Sequence, residues 1–347
     1  MKRALFLIIA ASFLTVAGFA QADLQPVAIV NLVRSEPITM KHLRAEVETT
    51  KKAAGRELTQ SERQQVLDKM INERLILQAA ERDKISITEN EVNQRQQQYR
   101  SLMAQRGGRQ PTDAEFAQAI KEETGFDLPA FREQLRRQMI AEKYIMTKKE
   151  SLFASIKVPA EEDIRSAYEL AKKNFTRDDT VRVSMIMVPY GQDAAAKTKA
   201  RELADKLSRE INSNPSKFDD VSLRAQAPAS GYQAGDAGYL PHNAQAQQLV
   251  GKEFVDTAFS LQQGAVSKII EGKDGYQIIK ITETYGMKFL ELDDIAQLGT
   301  RVTVRDYIGN SILQQRQASV VAQATQELVN ELRAGKTFQV IESNLKW

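Results

Sequence analysis

The sequence predicts an α+β protein with a mainly helical part, closed by pairing of its two terminal strands, and a smaller mixed part holding an antiparallel sheet. Three observations predict it. Threonine and glutamate recur three apart at Thr59/Glu62, Thr88/Glu91 and Thr112/Glu115, and each pair is a helix start in which hydroxyl and carboxylate satisfy free first-turn amides. Near residue 181 a helical stripe gives way to strand-like alternation. From about residue 303 the helical stripe returns, and a strand-like run stands near each end of the part it closes.

Taken in order, Lys2 and Arg3 precede an apolar run from Ala4 to Phe19 and then Ala20-Gln21-Ala22, a small-x-small exit that reads as a signal peptide, residues 1–22, cleaved after Ala22. The run is short for a bilayer span, which takes about 20 apolar residues, so an exported protein with no stable membrane anchor after cleavage is expected. The chain has no cysteine, which removes an acylated N-terminal cysteine, disulfides, a thiolate nucleophile and cysteine metal sites. Basic and acidic residues nearly balance, 48 against 45, and nucleic-acid binding wants a concentrated basic excess; none is expected. His42 and His242 are too far apart for metal-ligand spacing, and no metal or cofactor is expected.

Residues 26–33 read as a short buried strand, and Pro37-Ile38-Thr39 leads into a helix capped by Thr39. Val66, Leu67, Met70, Ile71, Leu75 and Ile76 form one helical stripe, and Phe131, Leu135, Met139, Ile140 and Tyr144 another; both are expected to be helix-to-helix core. Residues 106–111 read as an exposed loop. The bases Arg132, Arg136, Arg137, Lys143, Lys148 and Lys149 alternate with Glu133, Glu142 and Glu150 and read as solvated helix surface. Helical signals run to about residue 175, so a helical domain is placed at 23–177.

The second domain, 178–286, opens with Val181, Val183, Met185 and Met187 on one face of a strand and Arg182 and Ser184 on the other. A helix at 194–211, a short one at 218–223 and strands at 266–270 and 275–281 follow. Gly235-Asp236-Ala237-Gly238 lacks the lysine of a phosphate loop and reads as a tight turn, with Asp236 bonding nearby amides. A helix over about 303–333, stopped by Gly335, and a strand at 338–341 fill the last segment, 287–347, which is expected to pack back on the helical domain.

Residues 26–150 resemble the N-terminal chaperone segment of SurA and related foldases, through Val30-Asn31 to Pro37-Ile38-Thr39, the run Met70 to Ile76 and the helix Phe131 to Arg136. Residues 181–285 resemble one parvulin domain, the rotamase module of the same proteins. Its marks are Gly235-Asp236-Ala237-Gly238-Tyr239, Phe254 to Leu261 with Gly264 to Ser267, and Gly275 to Lys280. The resemblance implies a SurA-N-like helical domain, a parvulin-type domain, a periplasmic location, and unfolded or extended polypeptides, outer-membrane proteins among them, as clients.

A prolyl isomerase works against an amide rotation barrier of about 18–20 kcal/mol by binding the twisted amide better than either planar form. The family does so with a hydrophobic proline pocket beside two histidines and a cysteine or aspartate. Here those polar positions match Met185, Gln277 and Ala227, with Pro228 retained, and the resemblance assigns no confident catalytic residue. The implied substrate-binding residues are Phe254 as aromatic floor, Met187 as wall, Val250 and Ala237. His242 stands at no matching position. The leading expectation is a holding chaperone with a degenerate isomerase domain. An isomerase that uses a mainly apolar pocket and a non-catalytic interaction scaffold stay open beside it.

Overall fold

In the computed structural model, which describes residues 24–227 and 230–345, the first strand, β1 (Pro26–Val30), is the middle strand of a small antiparallel sheet. Its neighbours are β2 (Glu36–Thr39) and, from the far end of the chain, β9 (Phe338–Val340). Val30 stands opposite Glu36 on one side and Phe338 on the other, which is the expected pairing of terminal strands. The expected strand 26–33 stops at Val30 because the chain then turns its amides elsewhere: the fully buried Gln78 accepts hydrogen bonds from Leu32 N (3.1 Å) and Val33 N (2.9 Å) through Oε1. The expected leader and Pro228 lie outside the described residues.

Helices α1 (Met40–Ala54), α2 (Gln60–Arg82), α3 (Glu89–Gly107), α4 (Asp113–Thr124) and α5 (Leu128–Lys148) follow, with the short α6 (Glu150–Ala154). Thr39 caps α1, and the three expected threonine–glutamate boxes open α2, α3 and α4 with both reciprocal bonds formed. The α2 stripe is buried against the sheet, Tyr144 and the distal residues Leu328, Val329 and Leu332 of α12 (Val304–Ala334). Phe131, Leu135 and Met139 of α5 form a second core with Val92, Phe116 and Ile120. Each such aliphatic side chain, taken fully out of water, contributes about 1.5–3 kcal/mol. The expected 106–111 loop is shorter, since α3 runs on to Gly107 and ends at Gly108, whose φ of 72° is the left-handed conformation that glycine adopts without a side-chain clash.

The six bases of α5 and its end are not idle surface. Arg132 and Arg136 both reach Glu89, Arg137 reaches Glu73, Lys143 reaches Glu91, Lys148 reaches Asp83, and Lys149 reaches Glu327 and Glu331. These partners lie on other segments, so the charge run ties α5 to α2, α3 and α12.

By its internal contacts the chain divides into one unit of residues 1–157 with 315–347 and a second unit of residues 158–314. The second is wider than the 178–286 read from the sequence, and only 315–347 of the last segment joins the helical unit. The reason is a small core in which Tyr168 of α7 (Glu161–Ala171) meets Leu290, Val304 and Ile308. Beside it β3 (Thr176–Arg177) pairs with β8 (Lys288–Phe289).

The main sheet of the second unit is antiparallel, ordered β5 (Gln233–Pro241), β4 (Thr180–Pro189), β7 (Gly275–Tyr285), β6 (Ile270–Glu271). On one face, α8 (Ala194–Ser213) and α9 (Lys217–Arg224) cover Ile186, Val188 and Ile278. On the other, α11 (Lys252–Ser260) covers Val181, Val183, Ile279 and Ile281. The β4 face expected to be polar from Arg182 and Ser184 is therefore apolar from Ile186 onward. The expected strand 266–270 shrinks to β6, with Val266 holding only a single bridge to Lys280. Among the described residues, no helix is long and apolar enough to cross a membrane.

Candidate functional site

An open cavity of about 680 Å³ lies on the α11 face of the second unit's sheet. Its floor is Val183 and Met185 of β4 with Phe254 of α11, and its walls come from β5, α10 (Ala244–Val250) and the turn before β7. The glycine-rich motif shapes one wall. It is not the expected tight turn, because its flanking residues find partners along β4: Gly235 stands opposite Met185 and Tyr239 opposite Arg182. Val183 pairs with Gly238 and Ser184 with Asp236, so Ala237 is an extra residue, a bulge within β5. Gly238 takes a φ of 86° there, and Asp236 accepts a hydrogen bond from its amide at 2.9 Å, as expected of that aspartate. The bulge turns Ala237 toward the cavity.

Five of the residues singled out in the sequence come together here: Met185, Ala237, Val250, Phe254 and Gln277 all line the cavity. Phe254 is buried, Met185 and Gln277 are half-buried, and Val250 stands exposed at the rim beside the almost fully exposed Leu249. Met187 pairs with Gln277 across β4 and β7 but is not a lining residue. Ala227 sits exposed in the turn after α9, its amide bonded to the Arg224 carbonyl, and does not line the cavity either. His242 stacks its ring on Phe259 at 4.3 Å and lines no part of it. Sequence reasoning missed Leu240, Asn243, Ala246, Leu249, Lys273 and Asp274. Leu240 and Ala246 carry no signal beyond being apolar, and Lys273 and Asp274 fall between the expected strands 266–270 and 275–281.

Two polar neighbours are occupied. Asn243 caps α10 by accepting from Ala246 N (3.0 Å) and donates to Asp178 (2.9 Å). Tyr239 lies under the Arg182 guanidinium, 5.3 Å from the ring centre, and Arg182 is itself paired to Asp236 at 2.6 Å and Glu283 at 2.7 Å. That hydrogen bond to Arg182, with help from the Gly238 amide, holds the Asp236 carboxyl below the usual carboxylate range. Gln277 differs: its Oε1 is buried and has no hydrogen-bond partner. Its carboxamide lies flat on Gly272, where an added Cβ would meet Nε2 at 2.8 Å.

No histidine lines this cavity, and among the described residues no group of three or more His, Cys, Asp or Glu side chains is arranged to hold a metal ion. The arrangement offers apolar surface, a carboxamide and exposed rim charges from Lys273 and Asp274.

Two family models match the chain, the SurA-like N-terminal domain over residues 1–145 and the PPIC-type PPIASE domain over residues 168–285. The chain is similar to the chaperone SurA of Alcanivorax borkumensis, 27% identical over 79% of this chain and 58% of that protein. It is similar too to the foldase protein PrsA of Clostridium botulinum, strain Loch Maree, 24% identical over 86% of this chain and 79% of that protein. One of two structurally related SurA-like chaperones of Campylobacter jejuni aligns over 91% of this chain and 100% of its own, with 13% identity and a TM-score of 0.37. The first family match falls on the helical unit and the second on the cavity-bearing unit. The chain thus combines a SurA-like N-terminal domain with one parvulin-type domain, and it spans 58% of the length of the Alcanivorax relative.

Proposed function

We propose that this chain is a periplasmic chaperone that holds extended segments of unfolded exported proteins, outer-membrane proteins among them, and that its parvulin-type cavity serves as a peptide site with little or no isomerase turnover. The observation that carries the reading is the cavity itself: about 680 Å³, floored by Phe254, Met185 and Val183, and lined by no histidine. A volume of that size takes several apolar side chains, and methionine surfaces adapt to varied ones. Met185 and Gln277 stand where the resemblance implies histidines, which favours binding over catalysis. Residues 1–22 supply the export signal in this reading.

Two measurements test it. The protein at stoichiometric amounts is expected to slow aggregation of an unfolded outer-membrane protein on dilution from denaturant; unchanged aggregation would sink the holding role. In a protease-coupled assay on a panel of X-Pro peptides, no acceleration over the uncatalysed rate is expected. Acceleration that Phe254→Ala abolishes, in a variant whose circular dichroism is unchanged, would restore an enzyme working through an apolar pocket.

A further inference from the structure

We propose that Gln277 steers the cavity away from proline and toward extended, non-prolyl backbone, by pairing its carboxamide with the N–H and C=O of a single residue of the bound segment. This rests on the cavity being a polypeptide site, as proposed above.

The other polar side chains of the cavity that are not exposed are committed: Asn243 to the α10 cap and Asp178, Tyr239 to the Arg182 cluster. The Gln277 side chain is not committed in this way, and its Oε1 is withdrawn from solvent without a partner. A buried acceptor left unpaired is unfavourable, and a rearrangement that pairs it recovers the loss. The terminal torsion of glutamine is broad, and no hydrogen bond holds the Oε1 of the carboxamide where it rests on Gly272. The amide can therefore turn outward, and toward the floor made by Phe254 and Met185 it would meet a ligand's main chain.

The chemistry of that meeting is specific. In an extended segment one residue directs its N–H and its C=O to the same side, as in a hydrogen-bonded strand pair. A primary carboxamide carries a donor and an acceptor side by side, so it completes both bonds to that residue. Proline has no N–H. With proline at this position the glutamine oxygen stays unpaired, and a site built around an N–H rejects the analogue that lacks it.

The test uses the full chain and three fluorescein-labelled apolar decapeptides that differ only at one central residue: alanine, proline or N-methylalanine. Fluorescence anisotropy is expected to give the alanine peptide about tenfold tighter binding than the other two, which lose the N–H with and without a ring. Gln277→Leu, which keeps the volume, is expected to bind all three alike. Gln277→Met, which likewise removes the amide's donor and acceptor at similar volume, is expected to lose the preference as well, and it stands in if Gln277→Leu does not fold. Equal binding of alanine and N-methylalanine by the wild type, tighter binding of proline, or a preference that survives Gln277→Leu would overturn the role of Gln277 while leaving a polypeptide site standing. Binding of none of the three would overturn both.

Discussion

Gly272 and Gly275 bracket one turn and meet opposite constraints. A Cβ at Gly272 would press on the flexible end of Gln277 at 2.8 Å, whereas one at Gly275 would collide with the Val188 carbonyl oxygen, in the backbone of β4. Gly275→Ala is expected to destabilise the cavity-bearing unit by about 2–3 kcal/mol through forced strand separation. Gly272→Ala is expected to cost less than about 1 kcal/mol, because only a side-chain end must move. Urea denaturation of the two variants side by side checks the contrast, and equal losses would contradict it. At this scale the sequence was partly legible. Met185, Phe254 and Gln277, which the resemblance to a parvulin domain had singled out, do line the cavity. Met187, one step along the same face, and Ala227, in a turn, fall outside the cavity lining, since counting along a sequence does not register where a cavity ends. The isolation of Gln277 Oε1 had no sequence signal, for an unmade hydrogen bond is a property of the neighbours.

Helix starts, by contrast, were readable because their chemistry spans four residues. In the boxes of α2 and α4, Glu62 and Glu115 are each held down to about 2, chiefly by hydrogen bonds from Arg56 and Arg109 and then by the capping threonines. Free glutamate titrates near 4.3. A group lowered in the folded state stabilises fully above its unfolded value and loses that contribution as the pH falls to its folded one. Helical content, followed by circular dichroism, is therefore expected to decline between about pH 4.5 and 2, and Glu62→Gln is expected to flatten that step. The bases of α5 show the opposite case: their identity was plain, but partners such as Glu89, Glu327 and Glu331 lie far along the chain. Gln78 is of the same kind. Its side chain takes the amides of Leu32 and Val33 and donates to Glu36 at 3.1 Å, so Gln78→Leu leaves both amides without their acceptor. A loss of about 2–4 kcal/mol of stability in the helical unit is expected, measured as a shift of its thermal transition; a shift too small to resolve would remove Gln78 from the account of how β1 and β2 are held on α2.

The molecule as a whole is two units, one of which is continuous in sequence and one of which is not. Calorimetry is expected to resolve two transitions. Removing residues 336–347, and with them β9, leaves one edge of β1 without its ladder, so only the transition of the helical unit should move down, with the other unchanged. A downward shift of both would mean that the units do not melt separately. The α+β class and the pairing of terminal strands were legible in the order of helical and alternating patterns; the borders were not, because the Tyr168, Leu290, Val304 and Ile308 core joins segments that flank the sheet-forming region on both sides. The broken continuity also sets a schedule. As the polypeptide is synthesised, residues 158–314 can complete their sheet while residues 24–157 still lack Leu328, Val329, Leu332 and β9. Until segment 315–347 arrives, β1 offers an open hydrogen-bonding edge to any passing strand, so the order of synthesis leaves the helical unit unfinished longest.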